Sequence, residues 1–217
     1  MNAQVANPPQ IDELKKLSRY TTLPVLLDLL KRQRLVLLDP KSWEDKNDSG
    51  VMVEYKRRKD VARLFAICFS WGDETIHQWK AFADGISGCC IEFDAQRLIS
   101  RLREVKDVRF RSVKYLRLNE FKDAEIPVDD MPFIKRWPYR CEDEFRVIWE
   151  GASKDAFFEI PIDLTMINKV TLNQRMPAQV YATVRDYLRE AFDHPDQRIS
   201  HSTLYENSRW LKKFQRA

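Results

Sequence analysis

The segment "RLFAICFSW", residues 63 to 71, constrains the fold more than any other part of the chain. It is a continuous apolar run in which Phe65, Ile67, Phe69 and Trp71 alternate with Leu64, Ala66, Cys68 and Ser70. A run of this length with no polar face reads as a strand buried on both sides. Ser70 is its one polar intruder, and a buried run that ends on serine and tryptophan calls for a polar partner close by.

The rest of the chain supplies partners for such a strand. "LSRYTTL" predicts a short strand running into a helix, with Thr21 or Thr22 as cap and Leu23, Leu26, Leu27, Leu29 and Leu30 at helical spacing. "RLVLLDP" predicts a strand stopped by Pro40, and residues 41 to 59 predict a polar loop, centred on Asn-Asp-Ser-Gly, leading into a helix. "DETIHQWKAFADG" predicts a short helix, "GCCIEFD" a strand, and "AQRLISRLREV" a helix with Leu98, Ile99 and Leu102 inward. A strand with a basic outer face follows at 108 to 118, then a proline-containing loop. The C-terminal third adds a strand at "KVTLN" and a helix opened by Pro177. The expected class is α+β, with mixed, mainly antiparallel sheets and helices inserted between strands. Residues 1–12 are expected to form a flexible arm and residues 13–217 a single domain.

At 217 residues with 44% apolar content, the chain can bury a proper core. Its 37 basic and 33 acidic residues leave a net charge of +4, too small to announce a nucleic-acid protein without a local cluster. One small cluster exists in the tail, where Arg209, Lys212, Lys213 and Arg216 surround Trp210 and Phe214. It is expected either to dock through Trp210 or to touch nucleic acid. No stretch reaches the roughly 18 apolar residues of a membrane helix, and "MNAQVANPPQ" lacks the plan of an export signal. The expectation is a soluble cytoplasmic protein. Cysteines 68, 89, 90 and 141 show no Cys-x-x-Cys spacing and His77, His194 and His201 do not complement them, so no metal is expected. Phosphate loops and nucleophile elbows of the glycine-rich kinds are absent, and five glycines leave little backbone to cradle phosphate.

"CEDEFRVIWE", residues 141 to 150, reads as a strand with sorted faces. Cys141, Phe145, Val147 and Trp149 point one way, while Glu142, Glu144, Arg146, Ile148 and Glu150 point the other. Two carboxylates beside a guanidinium form either a surface ladder or a site. Arg19 and Ser70 also fall at or near ends of predicted strands, where sheets open into loops and sites are commonly built.

The succession "RYTTLPVLLDLLKRQRLVLLDPKSWED", "CFSWGDETIHQWKAFADGISGCCIEFD", "KRWPYRCEDEFRVIWE" and "IPIDLTMINKVTLN" resembles the bacterial family catalogued as domain of unknown function 2971, over roughly residues 17 to 175. That resemblance implies no settled activity; members are often found near phage-defence and toxin genes. The order Arg19, Phe69-Ser70, Glu142-x-Glu144 also resembles ADP-ribosyltransferases marked by an arginine, a serine strand end and a Glu-x-Glu strand, with Phe-Ser-Trp here in place of Ser-Thr-Ser.

The second resemblance implies NAD as substrate, bound by Arg19, Tyr20, Thr21, Ser70, Trp71 and Trp79, with Glu144 and Glu142 as catalytic carboxylates. Cleavage of the nicotinamide–ribose bond builds positive charge on the sugar, which an anchored carboxylate stabilises. Glu144 would hold the ribose, Glu142 would assist deprotonation of a protein or nucleic-acid acceptor, and Arg19 would pair with the diphosphate. Tyr20, Trp71 or Trp79 would wall the nicotinamide end. The rivals are a non-enzymatic binding or regulatory domain, in which Glu142, Glu144 and Arg146 form a structural ladder, and a hydrolase or nuclease using the carboxylates with a divalent ion.

Overall fold

In the computed structural model, residues 9–121, 125–192 and 198–215 are described. The first eight residues of the expected arm, His194 and Arg216 lie outside them. The strands are β1 (Lys16–Thr22), β2 (Arg34–Leu38), β3 (Arg63–Ser70), β4 (Gly88–Asp94), β5 (Val108–Ser112), β6 (Lys114–Leu116), β7 (Ile134–Arg136), β8 (Glu144–Gly151), β9 (Phe157–Pro161), β10 (Ile167–Leu172) and β11 (Arg198–His201). The helices are α1 (Leu23–Arg32), α2 (Lys46–Lys59), α3 (Ile76–Phe82), α4 (Ala95–Arg103), α5 (Leu118–Phe121), α6 (Ala178–Phe192) and α7 (Ser208–Phe214).

The apolar run at 63 to 70 is the hub of a nine-stranded sheet, as its two-sided burial requires. Along one edge β3 pairs antiparallel with the whole of β8, from Arg63↔Gly151 to Ser70↔Glu144, and β8 pairs in turn with β5. The other edge of β3 is shared. It meets β2 at Leu38↔Ala66 and β1 at Ser18↔Ser70, and these two strands carry the sheet onward in opposite directions, β2 to β9 and β1 to β4, β10 and β11. Only β10–β11 is parallel within this sheet. The sheet is therefore mixed and mainly antiparallel, and it splits between β1 and β2.

Alternation along β3 divides the core. Phe65, Ile67 and Phe69 join Phe145, Val147 and Trp149 of β8 under α1, α4 and α6, which contribute Leu26, Leu29, Leu98, Ile99 and Leu188. Leu64 and Ala66 face the other way with Ile148, onto Met52 and Tyr55 of α2 and Phe133. Each fully buried side chain of this kind stabilises the fold by about 1.5–3 kcal/mol, so both faces of β3 hold the layers together.

The structure corrects the reading of residues 41 to 59. Helix α2 already covers Asn47-Asp48-Ser49-Gly50, because Asp45 caps its start by accepting from the Asn47 amide. Asp48 and Ser49 are buried as a result. No helix among the described residues is long and apolar enough to cross a membrane.

Candidate active site

The split in the sheet opens a cleft of about 730 Å³. Arg19, Tyr20 and Thr21 of β1, Ser70 of β3, and Glu142 and Glu144 from the start of β8 all line it. Three segments far apart in sequence thus deliver a cation, a hydroxyl and two acids to one concavity. Trp71 and Trp79 do not line it. Trp71 packs against the main core, and Trp79 is buried beneath Tyr20, edge to face at 5.5 Å, with its indole N–H donating to Glu74. Trp79 sits on the inward face of α3, which the helical spacing alone did not reveal.

Arg19 occupies the gap where β3 has no strand beside it. Its Nη1 donates to the Cys68 carbonyl at 3.1 Å, a backbone acceptor that neither β1 nor β2 reaches. Burial pushes the Arg19 pKa down from its ordinary value, and no carboxylate among the described residues lies within ion-pair distance of it. A half-buried guanidinium with one carbonyl and no counter-charge has donors left over with which it can receive an anion.

Glu142 and Glu144 are not one strand repeat apart, as the alternation predicted. Glu142 ends a 3-10 turn over Trp137–Glu142, Asp143 takes the left-handed conformation at φ 45°, and β8 begins only at Glu144. Cys141 is accordingly exposed rather than in the core. The turn is locked against the end of β3. The Trp71 amide donates to the Asp143 carbonyl at 2.9 Å, and a Cβ on Gly72 would lie 2.1 Å from Asp143 Oδ2, so any larger residue there would have to displace the Asp143 side chain. Gln78 of α3, itself buried, donates to Ser70 Oγ at 2.7 Å and supplies the polar partner that Ser70 required.

Both acids belong to a buried charge network that the sequence did not show. Arg146, with 0% exposure, reaches Glu144 Oε1 at 2.6 Å and Asp48 Oδ2 at 2.7 Å, and donates to the Pro132 carbonyl. Lys135 of β7 contacts Glu142 at 2.6 Å, Glu144 at 3.2 Å and Asp48 at 3.5 Å. Three carboxylates thus face two cations, which leaves one negative charge in excess if all are ionised. The pKa values divide to relieve it. Burial alone would raise the Glu144 pKa, but the Arg146 and Lys135 charges outweigh burial and hold Glu144 below its ordinary value. At Glu142 burial wins over Lys135, with the Glu144 charge adding to it, and the pKa rises from 4.5 to about 7. Burial likewise raises Asp48.

Two further rings, Trp43 and Tyr139, also line the cleft. Trp43 lies under the Arg146 guanidinium at 4.8 Å, and the Tyr139 ring faces Lys135 at 4.9 Å. Neither was expected from the sequence. Trp43 follows a proline in a polar stretch and Tyr139 sits in a turn, so no periodicity marks them.

The raised Glu142 pKa has a consequence for stability. Between pH 4.5 and about 7 the folded protein holds a proton on Glu142 that the unfolded chain has lost. Stability therefore falls as pH rises through that window. Urea midpoints measured from about pH 5 to about pH 8 should decline for the wild type and flatten for Glu142→Gln, which cannot ionise. A wild-type decline that persists unchanged in the variant contradicts the assignment.

No family model matches the chain, so the resemblance to the domain-of-unknown-function 2971 family is not shown. No curated protein matches it either. Among solved structures it is similar to DarT of Thermus sp. 2.9, determined in complex with NAD+, with ADP-ribosylated ssDNA and with carba-NAD+. The identities are 9%, 10% and 9%, the TM-scores 0.45, 0.45 and 0.44, and the match covers 90% of this chain and 98%, 97% and 99% of those chains. A likeness at this level assigns no function.

Proposed function

We propose that the chain is an NAD-dependent ADP-ribosyltransferase-like enzyme, transferring ADP-ribose to protein or nucleic acid as a toxin or phage-defence effector. The observation that carries the reaction class is the convergence of Arg19, Ser70, Glu142 and Glu144 on one cleft. The effector role rests on the sequence resemblance alone.

In this reading Arg19 takes the diphosphate, the counter-charge it lacks within the chain. Ser70, fixed by Gln78, positions the nicotinamide-ribose end beside Tyr20 and Thr21. The two acids separate by environment. Glu144, kept ionised by Arg146 and Lys135, supplies the fixed negative charge that stabilises the developing oxocarbenium ion. Glu142, poised near neutrality, takes the proton from the acceptor.

One observation favours a second reading, a binding domain with structural carboxylates: both Glu144 oxygens are already engaged by Arg146 and Lys135. Thermal shift with NAD separates the two. For the enzyme, Tm rises with NAD concentration, and Arg19→Leu abolishes the rise while folding at least as well, because an uncompensated half-buried charge has been removed. A Tm that ignores NAD, or an equal rise in Arg19→Leu, overturns the reading.

A further inference from the structure

Outside the cleft, one surface combines cations that form no ion pair among the described residues with a half-buried indole and an exposed phenyl ring. Strands β6 and β7 pair in parallel with Leu116 opposite Arg136, so the residues just beyond them, Arg117 and Trp137, meet. The Arg117 guanidinium lies over the Trp137 ring at 4.5 Å and that of Arg140 at 5.0 Å. Lys114 and Arg136 are exposed on the same pair of strands. None of these four cations forms an ion pair among the described residues, whereas nearby Arg109 and Arg111 are taken up by Glu150 and Asp130. Glu120, the acid closest in sequence to Arg117, spends one oxygen on the Arg117 backbone amide at 2.8 Å. Beside Arg117, helix α5 exposes Leu118 and Phe121, at 69% and 54%.

We infer that this surface binds a single strand of nucleic acid. A guanidinium stacked on an indole keeps its N–H edge free and its plane fixed, which suits bidentate contact to phosphate. Exposed Phe121, next to those cations, offers a face for an unpaired base. A duplex hides its base faces and has no use for such a ring, and an acidic peptide would use the cations alone. The surface is continuous with the cleft. Trp137 and Arg140 stand on the same 3-10 turn as Tyr139 and Glu142, which line it. That the bound strand is also the acceptor rests on the ADP-ribosyl transfer reading; the binding itself does not.

The site differs from the one the tail suggested. Helix α7 does not dock through Trp210, which is 67% exposed and touches Phe214 instead. Arg209, Lys212 and Lys213 of the tail sit on a helix of seven residues, none of which lines the cleft.

The test is fluorescence anisotropy of the full chain without NAD, using a labelled single-stranded oligodeoxynucleotide of about 15 nucleotides, the upper end of one binding site. Arg117→Ala/Arg140→Ala should weaken binding at least about tenfold and reduce the salt slope by about 1.4, two phosphate contacts at about 0.7 each. Phe121→Ala should weaken it about fivefold or more with the slope unchanged. Arg209→Ala/Lys212→Ala should bind like the wild type. Unchanged affinity in the Arg117/Arg140 variant, loss confined to the tail variant, or equally tight binding of polyglutamate by the wild type overturns the inference. Because NAD is absent, oligonucleotide binding through these residues stands even if NAD binding fails, so the two claims fall separately.

Discussion

Replacing Arg146 with Met should destabilise the protein by about 3–5 kcal/mol, the range for removing one partner of a buried ion pair. Arg146 is wholly buried and holds Glu144, Asp48 and the Pro132 carbonyl at once. Without it, Asp48 and Glu144 keep only Lys135, and the Pro132 carbonyl loses its charged donor. Methionine fills much of the volume, so the loss reports electrostatics rather than a cavity. The urea midpoint should fall well below the wild type with the slope unchanged. A change within about 1 kcal/mol, as for a solvated ladder, would mean the network is not buried in solution.

The second large effect concerns chemistry. Glu142→Gln should cut ADP-ribosyl transfer about 10²- to 10⁴-fold, the usual worth of a positioned proton-transfer group. Glutamine keeps the shape of protonated Glu142, the form that burial favours below about pH 7, so fold and NAD affinity should persist. The wild-type rate should rise with pH through that same value, as the base form accumulates. An undiminished rate in Glu142→Gln would move the base elsewhere and return Glu142 to a structural role.

The parts of this account that the sequence carried are those written in local pattern. The uninterrupted run of β3 marked the hub of the sheet, and strand ends drew attention to Ser70 and Glu144, whereas Arg19, expected near a strand end, sits in the middle of β1 and still lines the cleft. Glu142 was placed in the right neighbourhood by the wrong geometry. Alternation continued through Asp143 on paper, whereas the left-handed φ there turns the chain before β8 begins. Asp48 and Lys135 were invisible for another reason. They come from a polar helix turn and a three-residue strand, 98 and 11 positions from Arg146, and only tertiary packing turns them from surface charges into counter-ions. Trp79 could be read as core or as a wall beside a serine strand end, and the helix, facing Tyr20 and Cys90, places it in the core.

In the proposed reaction the cleft at the split between β1 and β2 breaks the nicotinamide–ribose bond. Incubating the wild-type chain with NAD labelled in its ADP-ribose half, together with single-stranded DNA and lysate protein, measures that step directly. Label should become covalently attached to one of the two acceptor classes, with nicotinamide released in equal amount. If all label remains in NAD at every pH from about 6 to about 8, spanning the Glu142 transition, the cleft is not the transferase site described above.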